Sequence, residues 1–278
     1  MPADRIYESL AFINWTVLTT LAAGTLIAVV AGRFRTEATT GYLAFTAFSA
    51  AAFALLAYLA DGGLPAPSPA LAVHGDPAWE GPRRLALLAL PAIAGAYGVA
   101  LARGSRATPL AVAAAVAAAL VLIAGALSWG GGGLGSALLL VELAGLAIVL
   151  GGVWAAMVLG HWYLVTPKLP EAPLVRISRW LAIALAAQLG LFVAWLGFGA
   201  GPGGAPAFAA LVGPWALFVW LRLLVGLVFP LVVSWAAVQT ARTRSMESAT
   251  GLLYINVGTI AAGTILAAGL YFGAGLLV

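Results

Sequence analysis

Residues 136–159 read SALLLVELAGLAIVLGGVWAAMVL, and Glu142 is the one charged residue in the run. A helix of this length rises ~36 Å, enough to cross a hydrocarbon core of ~30 Å. The run has no polar face, so it cannot be a surface helix of a soluble domain. It is also about twice the length of a barrel strand and lacks strict alternation. Working outward, comparable windows lie near 10–31, 41–60, 85–102, 109–129, 177–199, 215–239 and 250–276. In lipid, only helices satisfy their backbone over such lengths. The expected fold class is therefore all-α: a polytopic integral membrane protein with eight transmembrane helices in one domain over 1–278.

Composition agrees. The chain is 63% hydrophobic and 8% charged, whereas a soluble domain is about 25% charged and needs that polar surface for water. With no cysteine there is no disulfide, thiolate metal site, iron–sulfur cluster or covalently attached c-type haem. His74 and His161 are too few for a pair of bis-histidine haems, and no metal site is expected. The net charge of +4 points to no nucleic acid, because the cations sit in short loops between apolar runs, where they orient helices.

The loops after the first, third, fifth and seventh spans carry Arg33, Arg35, Arg103, Arg106, Lys168, Arg176, Arg179, Arg242 and Arg244, nine of the thirteen cations. The other side keeps Arg5, Arg83 and Arg84 among Asp4, Glu8, Asp61, Asp76 and Glu80. The positive-inside rule places the nine-cation side in the cytoplasm and both termini outside, in the plasma (inner) membrane of a prokaryote. The first run is long, lacks a basic leader and ends in Gly-Arg-Phe-Arg, so no cleavable signal is expected. The longest polar stretch, 61–84, reads DGGLPAPSPALAVHGDPAWEGPRR and is expected to be an ordered cap over the outer face. Catalysis outside the membrane would have to come from a partner; no catalytic residue is assigned.

Small residues mark helix packing: AVAAAVAAAL in the fourth span, and Gly251, Gly258, Ala262, Gly263, Gly269 and Gly273 in the eighth. A pore would need polar side chains that the fourth span lacks before Ser128. Between the sixth and seventh spans, GAGPGGAPAFAALVGPW leaves Ala205 to Val212 as a candidate short interfacial or re-entrant helix. The halves share a loop rhythm, with no residue-level repeat.

Two charges lie well inside spans, Glu142 and Arg222. An ionisable group at helix centre costs at least ~2.5–3.5 kcal/mol, so it normally faces the bundle interior and is paired. Both spans run in the same direction, and each charge lies about 9–10 Å past the outer end, so an ion pair is possible. One reading is a structural clasp that fixes helix rotation. The other is a carboxylate tuned by burial and an arginine to exchange a proton or hold a ligand, such as quinone, in the outer leaflet. Gly145 and Gly226, each about one turn beyond its charge, are expected to leave room for that ligand.

The most polar stretch, GHWYLVTPKLPEAPLVRISR at 160–179, is where a helix leaves the membrane. His161 is roughly 28 Å from Glu142 along the helix, at the opposite interface. Trp162 and Tyr163 suit an interfacial aromatic belt, Lys168 can snorkel, and Pro167, Pro170 and Pro173 stop the helix. His161 reads as an interfacial residue, with a ligand or proton-carrying role as the alternative.

Around Arg222 the sequence WLRLLVGLVFPLVV places Gly226 and Pro230 at successive four-residue steps. This resembles the late-helix pattern of the NrfD-like, polysulfide-reductase membrane-subunit family, over about fourteen residues. The resemblance implies an eight-helix, cofactor-free subunit that exchanges electrons with quinones for a partner's iron–sulfur or haem centres. The family has an acidic residue where Arg222 stands. Three readings follow: a quinone-contacting or anchoring subunit of a respiratory or other electron-transfer complex, a small-solute or ion transporter, and a structural accessory subunit. Lipids are partners in all three, and redox-complex subunits in the first.

Overall fold

The computed structural model describes residues 1–65, 71–105, 107–166, 168–204 and 206–278. Residues 66–70 of the expected cap, Arg106, Pro167 and Ala205 lie outside them. Among the described residues there is no strand, and eight helices are long and apolar enough to cross a membrane. In chain order, spans 1 to 8 are Leu10–Arg35, Thr40–Gly62, Pro77–Ala102, Thr108–Trp129, Gly133–Val165, Ala172–Phe198, Ala216–Arg242 and Met246–Ala274.

Local chemistry sets the span ends. Thr39 caps span 2 by accepting the Tyr42 N–H, and Asp76 accepts the Ala78 N–H where Pro77 opens span 3. Gly199 and Gly275 end spans 6 and 8 at φ 60° and 69°, left-handed angles that glycine adopts without strain.

Two boundaries differ most from expectation. Span 3 begins at Pro77 rather than near 85, because that proline and the Asp76 cap start the helix early, which shortens the cap. Span 5 continues from 159 to Val165, so His161, Trp162 and Tyr163 form its last turns. The chain turns extended only at Thr166, the residue before Pro167, where a proline disfavours helix in its predecessor. At 33 residues, span 5 rises about 50 Å and must tilt or protrude from the bilayer. A third expectation, the short helix from 205 to 212, is corrected to a single 3₁₀ turn at Ala209–Leu211. Glycines and prolines around it leave too few consecutive helix formers.

Spans 1 and 5 cross at the centre. A Cβ added to Gly24 would overlap the Ala147 carbonyl, and one added to Gly151 would overlap the Gly24 backbone. Such direct backbone contact is open only to glycine. Span 1 packs on spans 2 and 4, span 2 on 3, and span 3 on 4; span 5 packs likewise on 6 and 8, span 6 on 7, and span 7 on 8. Span 4 also meets span 5, and span 8 meets span 1. These neighbour relations are preserved when each span is exchanged for the one four places along; a smaller contact of span 2 with span 5 departs from the pattern. Four crossings per half bring span 5 in on the same side as span 1, so the halves run parallel rather than inverted.

Alanines line many helix contacts, while large apolar side chains lie both in the core and on the outside. Ala22, Ala47, Ala54, Ala114 and Ala118 are fully enclosed, while Leu55, Leu59, Leu88, Val112, Ile183 and Val232 point outward. Small residues let helices approach, and large apolar ones face lipid. The cap covers the face that holds both termini: Ala72 N–H donates to the Phe272 carbonyl and Asp76 N–H to that of Ser128, while Leu71 and Val73 are buried. The opposite face gathers cations. There Arg176 donates to the Arg35 carbonyl, and Arg244 pairs with Glu171 at 3.3 Å.

Candidate functional site

Span 7 is distorted where its charge lies. Ala216–Leu223 is α-helical, Leu224–Val228 is a π turn, and the α-helix resumes at Phe229. Pro230 explains the change, since its ring lacks an N–H and would press on the carbonyl four residues back, that of Gly226. Widening the turn relieves the clash. Asn256 of span 8 steadies the region by donating to the Pro230 carbonyl at 3.2 Å and to Ser234 Oγ at 2.8 Å.

The distortion leaves Arg222 facing inward, 2% exposed. Its Nη2 lies 3.8 Å from Glu142 Oε1 on span 5, and its Nε donates to the Val278 carbonyl at 3.3 Å. The two intramembrane charges therefore meet, as their equal depth allows. At 3.8 Å the contact is an ion pair and not a hydrogen bond, and Glu142 Oε1 has no hydrogen-bond partner among the described residues.

The two glycines do not open a ligand space. Gly226 packs directly on Gly263 of span 8: a Cβ at either position would stand 2.6 Å from the other's Cα, and at Gly263 it would also be 3.0 Å from Arg222 Nη1. The glycine pair houses the guanidinium and a tight crossing, which corrects the expectation of ring-sized room at Gly226. Gly145 faces Gln188 of span 6, whose side chain would lie 3.4 Å from an added Cβ. Gln188 is buried, and its Nε2 has no partner among the described residues.

Beside Glu142 is a cavity of about 20 Å³ walled by Trp15, Thr16, Trp129, Tyr271 and Phe272. Its aromatic walls interlock, with the Trp15 and Trp129 rings 4.3 Å apart edge to face and Phe12 stacked on Phe272 at 5.2 Å. Trp129 also floors a larger vestibule of about 250 Å³ under the cap, lined by Asp61, Asp76, Glu80, Arg83 and Arg84. Arg83 donates to Asp61 at 2.7 Å and lies over the Trp129 ring at 4.5 Å. Sequence reasoning missed this second buried pair because each partner stands at a span end and reads as a loop charge. The spacing of DGG and PRR around the cap is the signal that could have found it.

His161 is exposed at the cation-rich face, its Nδ1 3.5 Å from the Tyr254 hydroxyl. Trp162 lies against Gly41 of span 2, and the Tyr163 hydroxyl donates to the Pro170 carbonyl. None of the three approaches Glu142. Among the described residues, no group of three or more His, Cys, Asp or Glu is placed to hold a metal ion.

No family model, no curated protein and no solved structure matches this chain. Fold and site together define a polytopic α-helical membrane protein, whose lipid-facing surface encloses a buried carboxylate–guanidinium pair.

Proposed function

We propose that this chain is a cofactor-free membrane subunit of an electron-transfer complex in the inner membrane of a prokaryote. In this reading it anchors the complex and takes up, at Glu142, a proton released by quinol oxidation. The observation that carries the proposal is the pair itself, a carboxylate whose Oε1 has no hydrogen-bond partner among the described residues, facing Arg222 and beside a water-sized cavity. Intramembrane carboxylates paired in this way recur where protons move. The reading is consistent with the short resemblance around Arg222 to quinone-linked subunits.

The cavity admits a water and not a quinone ring. The quinol would therefore dock outside the core, releasing two electrons to a partner's iron–sulfur or haem centre and two protons, one of which reaches Glu142. Arg222 would stabilise the ionised carboxylate between turnovers. Purification from native membranes should bring redox subunits with the chain, and Glu142→Gln should lower quinol turnover of the complex far more than its assembly. A chain that purifies alone, with no quinol-dependent activity in its membranes, would refute the role.

The vestibule favours a second reading, proton-linked transport of a small polar solute, because it is large enough to hold one and its walls carry Asp61, Glu80, Arg83 and Arg84. Proteoliposomes separate the two. Solute-dependent proton flux by the isolated chain supports transport, and its absence supports the subunit role.

A further inference from the structure

The exchange relation between the halves has one departure, and a groove lies where the matching contact is missing. Span 2 packs on span 5: the Tyr42 hydroxyl donates to the Ala155 carbonyl at 3.0 Å, and the Phe53 and Trp154 rings meet edge to face at 5.0 Å. Exchange by four places turns this contact into one of span 6 with span 1, and among the described residues no comparable packing occurs there. Trp154 stands three residues after Gly151, whereas the residue three after Gly24 is Ile27, so a smaller side chain takes the place of the indole. What is left is a groove of about 100 Å³. Ile27 and Ala31 of span 1 form one wall, Ile177 and Trp180 of span 6 the other, and Ile148 and Gly152 of span 5 the floor. None of these residues is charged.

The groove has the length and polarity of a single hydrocarbon chain. It runs from Ala31 to the level of the Gly24 crossing. Arg35, one turn beyond Ala31, is eleven residues from Gly24, ~16 Å of helix and about half of a ~30 Å hydrocarbon core. The mouth is cationic. Arg35 follows Ala31 by four residues and Arg176 precedes Trp180 by four, so each lies on the groove face of its own helix, one turn nearer the cation-rich surface. Both are exposed, and Arg176 closes the rim by donating to the Arg35 carbonyl. On the same face Glu171 pairs with Arg244, and Glu37 and Glu247 lie near Tyr163. Among the described residues no carboxylate is paired with Arg35 or Arg176.

We propose that this groove is a binding site for one anionic phospholipid of the leaflet at the cation-rich face, with an acyl chain between spans 1 and 6 and the phosphate held by Arg35 and Arg176. Guanidinium groups suit a phosphate because their N–H donors engage it in pairs, and basic pockets between spans hold acidic headgroups in this way. The acyl chain supplies the packing that Trp154 gives the other half, so this lipid is a structural part of the bundle. Its role is independent of proton transfer at Glu142.

The test titrates the full chain, purified in detergent and stripped of lipid, with phosphatidylglycerol or with phosphatidylcholine of the same acyl chains, and reads the melting temperature. Phosphatidylglycerol should raise it by at least about 5 °C at saturation, and phosphatidylcholine by less than about half as much. Equal shifts overturn the site. Two variants fill the groove: Ile27→Trp copies the other half, and Gly152→Leu builds on a floor where an added Cβ meets only Leu181, at 4.0 Å. Each should melt at or above wild type without lipid and lose most of the phosphatidylglycerol shift; a full shift in a filled groove overturns the site. Arg35→Gln with Arg176→Gln changes only exposed side chains and keeps the test open if a filled variant does not fold. In that double variant the preference for phosphatidylglycerol should vanish, and its persistence overturns the headgroup assignment. Native mass spectrometry of the chain released from its own membrane identifies the occupant. A retained anionic phospholipid that is lost in Ile27→Trp is the expected result, and a retained isoprenoid quinone in its place overturns the proposal.

Discussion

A carboxylate and a guanidinium 3.8 Å apart inside a membrane are mutually dependent, because each is the other's main compensation for lost hydration. Glu142→Gln leaves Arg222 with only the Val278 carbonyl, and Arg222→Leu leaves Glu142 with no cation. Either should cost about 3–5 kcal/mol, and the double variant should recover part of that loss. Thermal unfolding of the four proteins measures the coupling; strict additivity would show that the contact carries no energy. His161→Ala, by contrast, removes an exposed side chain with one long contact to Tyr254, and should shift stability by no more than about 0.5 kcal/mol. The pair was legible in the sequence because two charges interrupt otherwise apolar runs at matching depth. Trp15 and Gln188 were not legible, since a neutral side chain gives no sign in sequence that its polar atom will be buried unpaired.

At the scale of the helix, glycines of identical appearance have opposite meanings. Gly24 and Gly226 are pressed against neighbouring backbone, whereas nothing among the described residues lies within 4 Å of a Cβ added at Gly251 or Gly258. Gly226→Ala should therefore destabilise by about 1–3 kcal/mol and displace Arg222, and Gly24→Ala should cost at least as much. Gly251→Ala should be neutral or stabilising by up to about 1 kcal/mol, the helix propensity gained. Denaturation midpoints of the three variants test this, and equal effects would mean that the crossings are looser than described. The spans were readable to within a few residues from apolar length alone. Which glycine meets which was not, because helix rotation follows from packing between distant segments, and these helices show no strong polar face to reveal it. The π turn was likewise hidden: Pro230 announces a disturbance, but the Asn256 hydrogen bonds that brace it come from span 8, distant in the chain.

For the whole molecule, the positive-inside distribution and the common face of cap and termini lead to one expectation. A reporter fused after Val278 should be periplasmic and one inserted near Lys168 cytoplasmic, read by paired phosphatase and fluorescence activities; both on one side would overturn the eight-span order. The overall architecture was legible in so far as four spans follow four with similar loops. The exchange relation between the halves became visible only once the crossing of Gly24 and Gly151 fixed spans 1 and 5 as the central pair.

That relation bears on biosynthesis. Each half is a closed four-helix unit with its own orienting cations, Arg33, Arg35 and Arg103 in the first and Arg176, Arg179, Arg242 and Arg244 in the second, and the hinge between them is the exposed Gly131–Gly132 turn. Two open reading frames, divided at that turn and each started by its own initiator methionine, should give fragments that insert independently in the native orientation. They should then find one another through the glycine crossing, so that the gene tolerates fission there. Divided instead between spans 2 and 3, it should yield fragments whose helices lack their neighbours and are degraded.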